Sequence, residues 1–348
     1  MSHCAATTED TALSEHENDA STSASAGPWS RYWASGVLHS CPGAFAGNYD
    51  DEIRDHWLAF FGGLPNGARV LDIGTGNGAV AFLARDAAHT LGREFHIEGI
   101  DAALIIPSEA AARHGLTVGH IVFRGGTACE QTGYPDRSFH AVSSQYAIEY
   151  SRVGDTLNEL ARILKPGGRA GFIMHHSNSK AVETTRAEIG IFDYLRQEAP
   201  LIAACRRLLA GLAESGDEEQ LLDRLTNREA QQQHKEIAGL LQSVTAYARS
   251  QPQAAFVEGI AVQVSRTLQR TPTTGPAAAL DSLTVLEDEM AAHRERLQAI
   301  LRAAQGGPDV ERFCQSAVAA GFIVDTPQVI LRRGEDLLGW TVTATRES

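Results

Sequence analysis

The most constraining feature of the chain is the run Asp72-Ile73-Gly74-Thr75-Gly76-Asn77-Gly78, which follows the apolar segment RVLDIG (69–74) and opens a helical pattern through Val80, Phe82 and Leu83. Glycines at alternate positions remove every Cβ from a tight turn, so the main chain can approach a ligand closely and take torsions closed to other residues. The helix that begins there presents N–H groups suited to a carboxylate or phosphate. By itself the loop leaves the ligand open, because it nearly satisfies the dinucleotide fingerprint, with Ala79 at the last position.

Strands and helices alternate around this loop. FHIEGID (95–101), HIVFRG (120–125), FHAVSSQYAI (139–148) and GRAGFIMHH (168–176) read as further strands, and a helix carrying Leu157, Leu160, Ile163 and Leu164 ends at LKPGG (164–168). Near-continuous apolar strands alternating with helices predict an α/β fold whose parallel sheet is covered on both faces. From 179 to 308 the texture changes to Ala, Leu, Gln, Glu and Arg. Amphipathic helices are expected at 183–213, 218–250 and 281–305, with a loop at TPTTGP (271–276). Strands are expected to resume at FIVDTPQVIL (322–331) and GWTVTATR (339–346), giving seven in all. Ahead of the sheet, Trp29, Tyr32, Trp33, Phe45, Tyr49, Trp57, Phe60 and Phe61 crowd aromatics into a cap over 29–68, and Ile53, Trp57, Leu58 and Phe61 fall at helical spacing.

Charge narrows the partners. The net charge is −13, which argues against broad capture of a nucleic-acid backbone. Residues 1–28 carry Glu9, Asp10, Glu15, Glu17 and Asp19 with no Lys or Arg; this acidic tail is expected to be disordered. The five cysteines, at 4, 41, 129, 205 and 314, form no CxxC pair and no ligand spacing, so they read as reduced thiols rather than a disulfide or metal framework. The sequence MSHCAATTED lacks the features of a signal peptide, and no apolar run is long enough to span a bilayer. The expectation is a cytoplasmic protein without membrane partners.

Four segments in order resemble the motifs of class I S-adenosylmethionine-dependent methyltransferases: RVLDIGTGNGAV, then GID (99–101), then YPDRSFHAVSSQYAIEY (134–150), then ELARILKPGGRAGF (159–172). The resemblance implies a Rossmann-like, seven-stranded, mostly parallel sheet built from 69–178 and 309–348, with the helical segment 179–308 inserted between strands five and six. It also implies S-adenosylmethionine as cofactor. Gly74, Thr75, Gly76 and Gly78 would approach its methionine and ribose, with Asp72 orienting the loop or the amino group. Asp101 would hold the ribose hydroxyls, Thr127 and Ala128 would face the adenine, and Ser144 and Gln145 would complete the site. Two positions depart from the family pattern: Thr127 stands where an acid is common, and His140 replaces the usual Asp. No N-P-P-Y or D-P-P-Y follows strand four, which lowers the case for amino methylation of nucleobases or glutamine.

The acceptor should lie beyond the carboxyl ends of strands four and five. Tyr146, Glu149, His175 and His176 are the catalytic candidates there; the two histidines point to opposite faces of a strand, so only one is expected to enter the site. Tyr32, Trp33 and Tyr49 are candidate covers for the cofactor, and His39 is a further acceptor-side candidate. The expected activity is methyl transfer to oxygen or nitrogen of a small, largely apolar metabolite, with the insertion as a lid or, through Leu286, Met290 and Leu297, a homodimer contact. The alternatives are a peptide or protein acceptor docking on the insertion, a cofactor-binding partner protein without catalysis, and an NAD-dependent oxidoreductase.

Overall fold

The computed structural model describes residues 27–41, 45, 47–215, 218–251 and 254–348. The expected acidic tail falls almost wholly outside these residues; the described chain begins at Gly27, and a first helix, α1 (Pro28–Ala34), starts at the next residue.

Among the described residues eight strands make one sheet: β1 (Ala68–Ile73), β2 (Phe95–Ile100), β3 (Val122–Arg124), β4 (Phe139–Gln145), β5 (Leu164–His175), β6 (Phe322–Val324), β7 (Gln328–Arg332) and β8 (Asp336–Arg346). Their order is β3-β2-β1-β4-β5-β8-β6, with β7 beside β8. Pairing is parallel from β3 through β5, and β8 runs antiparallel to β5. The expected count of seven strands is thus one short of the eight described. The run 322–331 divides because Pro327 cannot donate to a ladder; β6 and β7 pair with successive stretches of β8 on either side of the break. The LKPGG turn is also absorbed into β5, with the extra residues taken up by a register shift between Phe139 and Ala141.

Side chains alternate across the sheet. Val70, Ala141 and Ile173 face α2 (Asp51–Gly62) and α3 (Ala79–Thr90), where Trp57, Phe61 and Phe82 are fully buried. Leu71, Val142 and Phe172 face α5 (Val153–Ile163) and α12 (Gly307–Ala319) through Leu157, Leu160 and Phe313. Both faces are therefore covered, as continuous apolar strands require. A short helix, α4 (Pro107–Arg113), links β2 to β3.

Among the described residues the insertion holds six helices instead of three: α6 (Lys180–Gln197), α7 (Leu201–Ala213), α8 (Glu218–Thr226), α9 (Arg228–Arg249), α10 (Ala254–Thr274) and α11 (Pro276–Ala303). Pro200 divides the first expected helix, and Asn227 caps α9 by accepting the Ala230 N–H, which divides the second. The expected TPTTGP loop is mostly helical. Pro272 sits inside α10, and the break falls at Gly275 (φ 85°), with Pro276 starting α11. Leu286 and Leu297 are buried within the chain, and Met290 packs with them, so this stripe serves the protein's own core. None of the described helices is long and apolar enough to cross a membrane.

Candidate active site

Beyond the carboxyl ends of β1, β2 and β4 lies a cavity of about 220 Å³. Its wall joins Asp72, Gly74, Thr75, Asp101 and Thr127 with Trp29, Leu38, His39, Tyr49, Tyr146 and Tyr150. The glycine turn takes left-handed torsions at Gly74, Gly76 and Gly78 (φ 60°, 52° and 99°), which only glycine adopts at low cost.

What the missing Cβ atoms make room for is partly the protein itself. A methyl on Gly74 would overlap Ala147, one on Gly76 would lie 2.5 Å from the Trp33 indole, and one on Gly78 would lie 2.6 Å from Phe123. Trp33 thus covers the loop, as the aromatic cap suggested. Asn77 holds the cover down: its amide nitrogen donates to the carbonyls of Trp33 (3.0 Å) and Val37 (2.7 Å), and its oxygen accepts the Ile106 N–H (2.9 Å). Nothing in the glycine pattern marked Asn77, whose partners lie 29 to 44 residues away.

Two buried carboxylates organise the loop. Asp72 accepts the Thr75 hydroxyl (2.6 Å) and the Ser143 hydroxyl (2.7 Å); burial outweighs both and raises its carboxyl to about 7. Asp101 accepts the Gly76 N–H and the Ala103 N–H, each at 2.8 Å, and burial raises its pKa as well. Each Asp101 oxygen keeps a second lone pair for a ribose hydroxyl. Thr127 donates its N–H to the Asp101 carbonyl (2.8 Å) and lines the cavity. Ala128 does not line it, and Ser144 is buried beneath, accepting the Ile148 N–H (3.1 Å).

The acceptor-side candidates separate. Tyr146 lines the cavity with a left-handed backbone (φ 52°) and donates its hydroxyl to the Leu338 carbonyl (3.2 Å); strain of this kind in a non-glycine residue gathers at functional sites. His175 lies behind Tyr146, with ring centroids 4.4 Å apart, and its Nδ1 and backbone nitrogen both meet Glu149 Oε1 at 2.8 Å. Neither His175 nor Glu149 reaches the cavity wall. His176 is turned to the opposite face, where it stacks on Trp340, so the strand alternation holds but neither histidine touches the cavity. His39 does line it. Its Nδ1 accepts the Cys41 N–H and its Nε2 donates to the Gly47 carbonyl; burial lowers it to about 4. Tyr32 is set back, donating to the His39 carbonyl (3.1 Å). His140, in place of the family's acid, accepts the Arg69 N–H (2.9 Å) and so joins β4 to β1 away from the cavity.

The wall also includes Trp29, Glu130, Tyr150 and Ser151, which sequence reasoning passed over. Tyr150 was visible as one turn beyond Tyr146. Among the described residues its hydroxyl is buried without a partner, as is the amide nitrogen of Gln145, whose amide oxygen accepts the Trp57 indole N–H (2.5 Å).

The titrating groups oppose one another. As pH falls through 6.5 the unfolded chain protonates its histidines, whereas folded His39 and His56, both lowered to about 4 by burial, do not. Stability is therefore lost across that window, on the order of 3 kcal/mol for His39. Folded Asp72 takes up its proton near 7, before the unfolded carboxylate does near 3.8, and stability is gained over nearly the same range. The Asp72→Asn variant should accordingly lose stability more steeply between pH 6.5 and 4 than the unsubstituted protein in urea unfolding. Parallel profiles would show that Asp72 titrates as an ordinary carboxylate.

A strand–glycine turn–helix at the switch of a 3-2-1-4-5 sheet, with an acid at the end of the second strand, defines a nucleoside-cofactor domain of the methyltransferase type. Residues 70–168 match the family described as a methyltransferase domain, and over these residues the chain carries a methyltransferase domain, whose cofactor is S-adenosylmethionine. A sterol 24-C-methyltransferase of Gibberella zeae is 32% identical over 148 residues, 40% of this chain and 37% of that protein. An aklanonic acid methyltransferase of Streptomyces sp. (strain C5) is 37% identical over 30% of this chain and 47% of its own length. The chain spans less than half the length of these relatives. Among solved structures, the geranyl diphosphate C-methyltransferase of Streptomyces coelicolor A3(2) overlaps 42% of this chain and 62% of its own, at 20% identity and a TM-score of 0.31.

The site's chemistry fits the cofactor. The orphaned Gln145 amide offers a donor at the loop end, and the free Asp101 lone pairs suit a diol.

Proposed function

We propose that this protein transfers a methyl group from S-adenosylmethionine to an oxygen or nitrogen atom of a small, largely apolar metabolite. One observation carries the reading: the cofactor-type end, with Gly74, Asp101 and Thr127, and the aromatic end, with Trp29, Tyr49, Tyr146 and Tyr150, share one cavity. When bound, S-adenosylmethionine supplies an electrophilic methyl group on sulfur. Asp101, held in place by the Gly76 N–H, binds the sugar end, and Gln145 donates to the amino-acid end. The aromatic wall exposes mostly apolar surface, which selects an apolar acceptor and keeps water from the reacting atoms. Proximity in such a wall supplies much of the acceleration.

A sterol and aklanonic acid, after which the relatives are named, are small molecules and support that part of the reading; the sterol enzyme is named for transfer to carbon. Helix α11 packs on α1 through Arg31, which donates to the Asp288 carbonyl (3.2 Å); the insertion therefore serves as the outer layer of a lid whose inner layer is Trp33. Calorimetry is the test. S-adenosylmethionine and its demethylated product should bind and NAD should not; binding of NAD alone would overturn the assignment.

A further inference from the structure

We infer that the insertion holds a second binding site, separate from the active cavity, for a small amphipathic anion: one carboxylate charge on a short apolar body. The inference stands beside the methyltransferase reading and does not depend on it.

The site is a cavity of about 240 Å³ where α6, α7, α10 and α11 meet. It shares no lining residue with the active cavity. Most of its wall is apolar; Phe192, Leu195, Leu201 and Ile260 are buried there. The helices do not close on it for two reasons. Pro200 stands between α6 and α7 and keeps them from running on as one rod, and the wall positions at 199, 203 and 291 are alanines, too small to fill the gap. Protein interiors leave few voids larger than a water molecule, and an apolar wall holds water poorly. A cavity of about 150 Å³ already admits benzene, so this one has room for a somewhat longer body.

The charged part of the wall selects the rest of the ligand. Arg196 and Arg294 line the cavity, and both guanidiniums reach the same oxygen of Asp193, at 3.5 and 3.2 Å. Glu287, the one carboxylate among the described lining residues, is taken by Arg206. Three guanidiniums therefore share two carboxylates, and one positive charge is left over. The first turn of α7, from Leu201 to Ala203, lines the same cavity, and a helix favours negative charge at that end. An apolar body carrying a carboxylate meets both demands: the body displaces loosely held water from the wall, and the anion pairs with the guanidiniums. A neutral body meets only the first demand, and a bare anion only the second.

Calorimetry on the full chain tests this. Octanoate should bind; octan-1-ol, which has the chain without the charge, and acetate, which has the charge without the chain, should bind several-fold more weakly. Ala203 and Ala291 are exposed, so Ala203→Phe and Ala291→Phe place a ring in the cavity without displacing the core. Each should abolish octanoate binding and leave the affinity for S-adenosylhomocysteine unchanged. The charge variants should move in opposite directions. Arg294→Gln should weaken octanoate by roughly fivefold or more and leave octan-1-ol as it was; Asp193→Asn, which removes the carboxylate competing for both guanidiniums, should tighten octanoate. The inference is overturned if octanoate does not bind, if octan-1-ol binds as tightly, or if octanoate binding survives both phenylalanine variants. A protein dimeric by light scattering and made monomeric by Ala291→Phe would put a second copy's side chains in the cavity, and overturns it as well.

Discussion

Replacing Asp101 by alanine is expected to weaken S-adenosylmethionine binding by roughly tenfold or more, the loss of at least one hydrogen bond to a charged group. The substitution acts twice. It deletes the lone pairs available to the ribose, and it releases the N–H groups of Gly76 and Ala103, which the carboxylate now holds at 2.8 Å each. Asp101→Asn should separate the effects, because its single amide oxygen can keep one backbone donor but carries no charge. Titration calorimetry on both variants checks the order: wild type tightest, Asn intermediate, Ala weakest. An Ala variant with wild-type affinity would show that the acid at the end of β2 has no part in holding the cofactor.

The largest effect on stability is expected from Trp57→Ala. This side chain is fully buried and packs edge-on to Phe60 and in a stack with Phe61, at ring-centroid distances of 5.6 and 5.7 Å. Truncating a core aromatic costs about 3–5 kcal/mol through lost burial and the cavity left behind. Here the Gln145 oxygen also loses the Trp57 indole donor, its only one among the described residues, so the amide is freed to turn. Urea unfolding should show the full loss for alanine and a smaller one for Trp57→Phe, with cofactor affinity falling in both. A change below about 1 kcal/mol for alanine would place α2 outside the cooperative core.

How much of this was readable beforehand follows from the range of the interactions involved. The strands at 68–73, 95–100 and 139–145 declare themselves because each is an apolar run ended by glycine or polar residues, and the glycine turn carries its torsional requirement in its own letters. The acid at 101 is likewise local to a strand end. Asn77 and the Trp33 cover, by contrast, are joined across forty-four positions, and no periodicity records such a contact. The histidines at 175 and 176 were placed correctly on opposite faces, yet which groups stand between His175 and the cavity depends on Tyr146 and Tyr150 folding back from β4. In the insertion the helical composition was plain, but Pro200, Asn227 and Gly275 act as joints whose effect depends on the packing they permit. Pro272 illustrates the converse: a helix breaker in letters that α10 accommodates.

The insertion leaves the sheet and returns to it at a single point. Ser177 donates its N–H to the Gln305 carbonyl (2.9 Å), Gln305 donates its own to the His175 carbonyl (2.8 Å), and the Trp340 indole closes on the same Gln305 oxygen (3.0 Å). Everything between these residues is, in topological terms, a detour pinched shut at its neck. Segments that begin and end side by side can be exchanged or shortened with little disturbance to their host. Exchanging the helices above the neck would therefore change what packs on α1, which α11 meets through Arg31, while leaving β1 and β2 untouched.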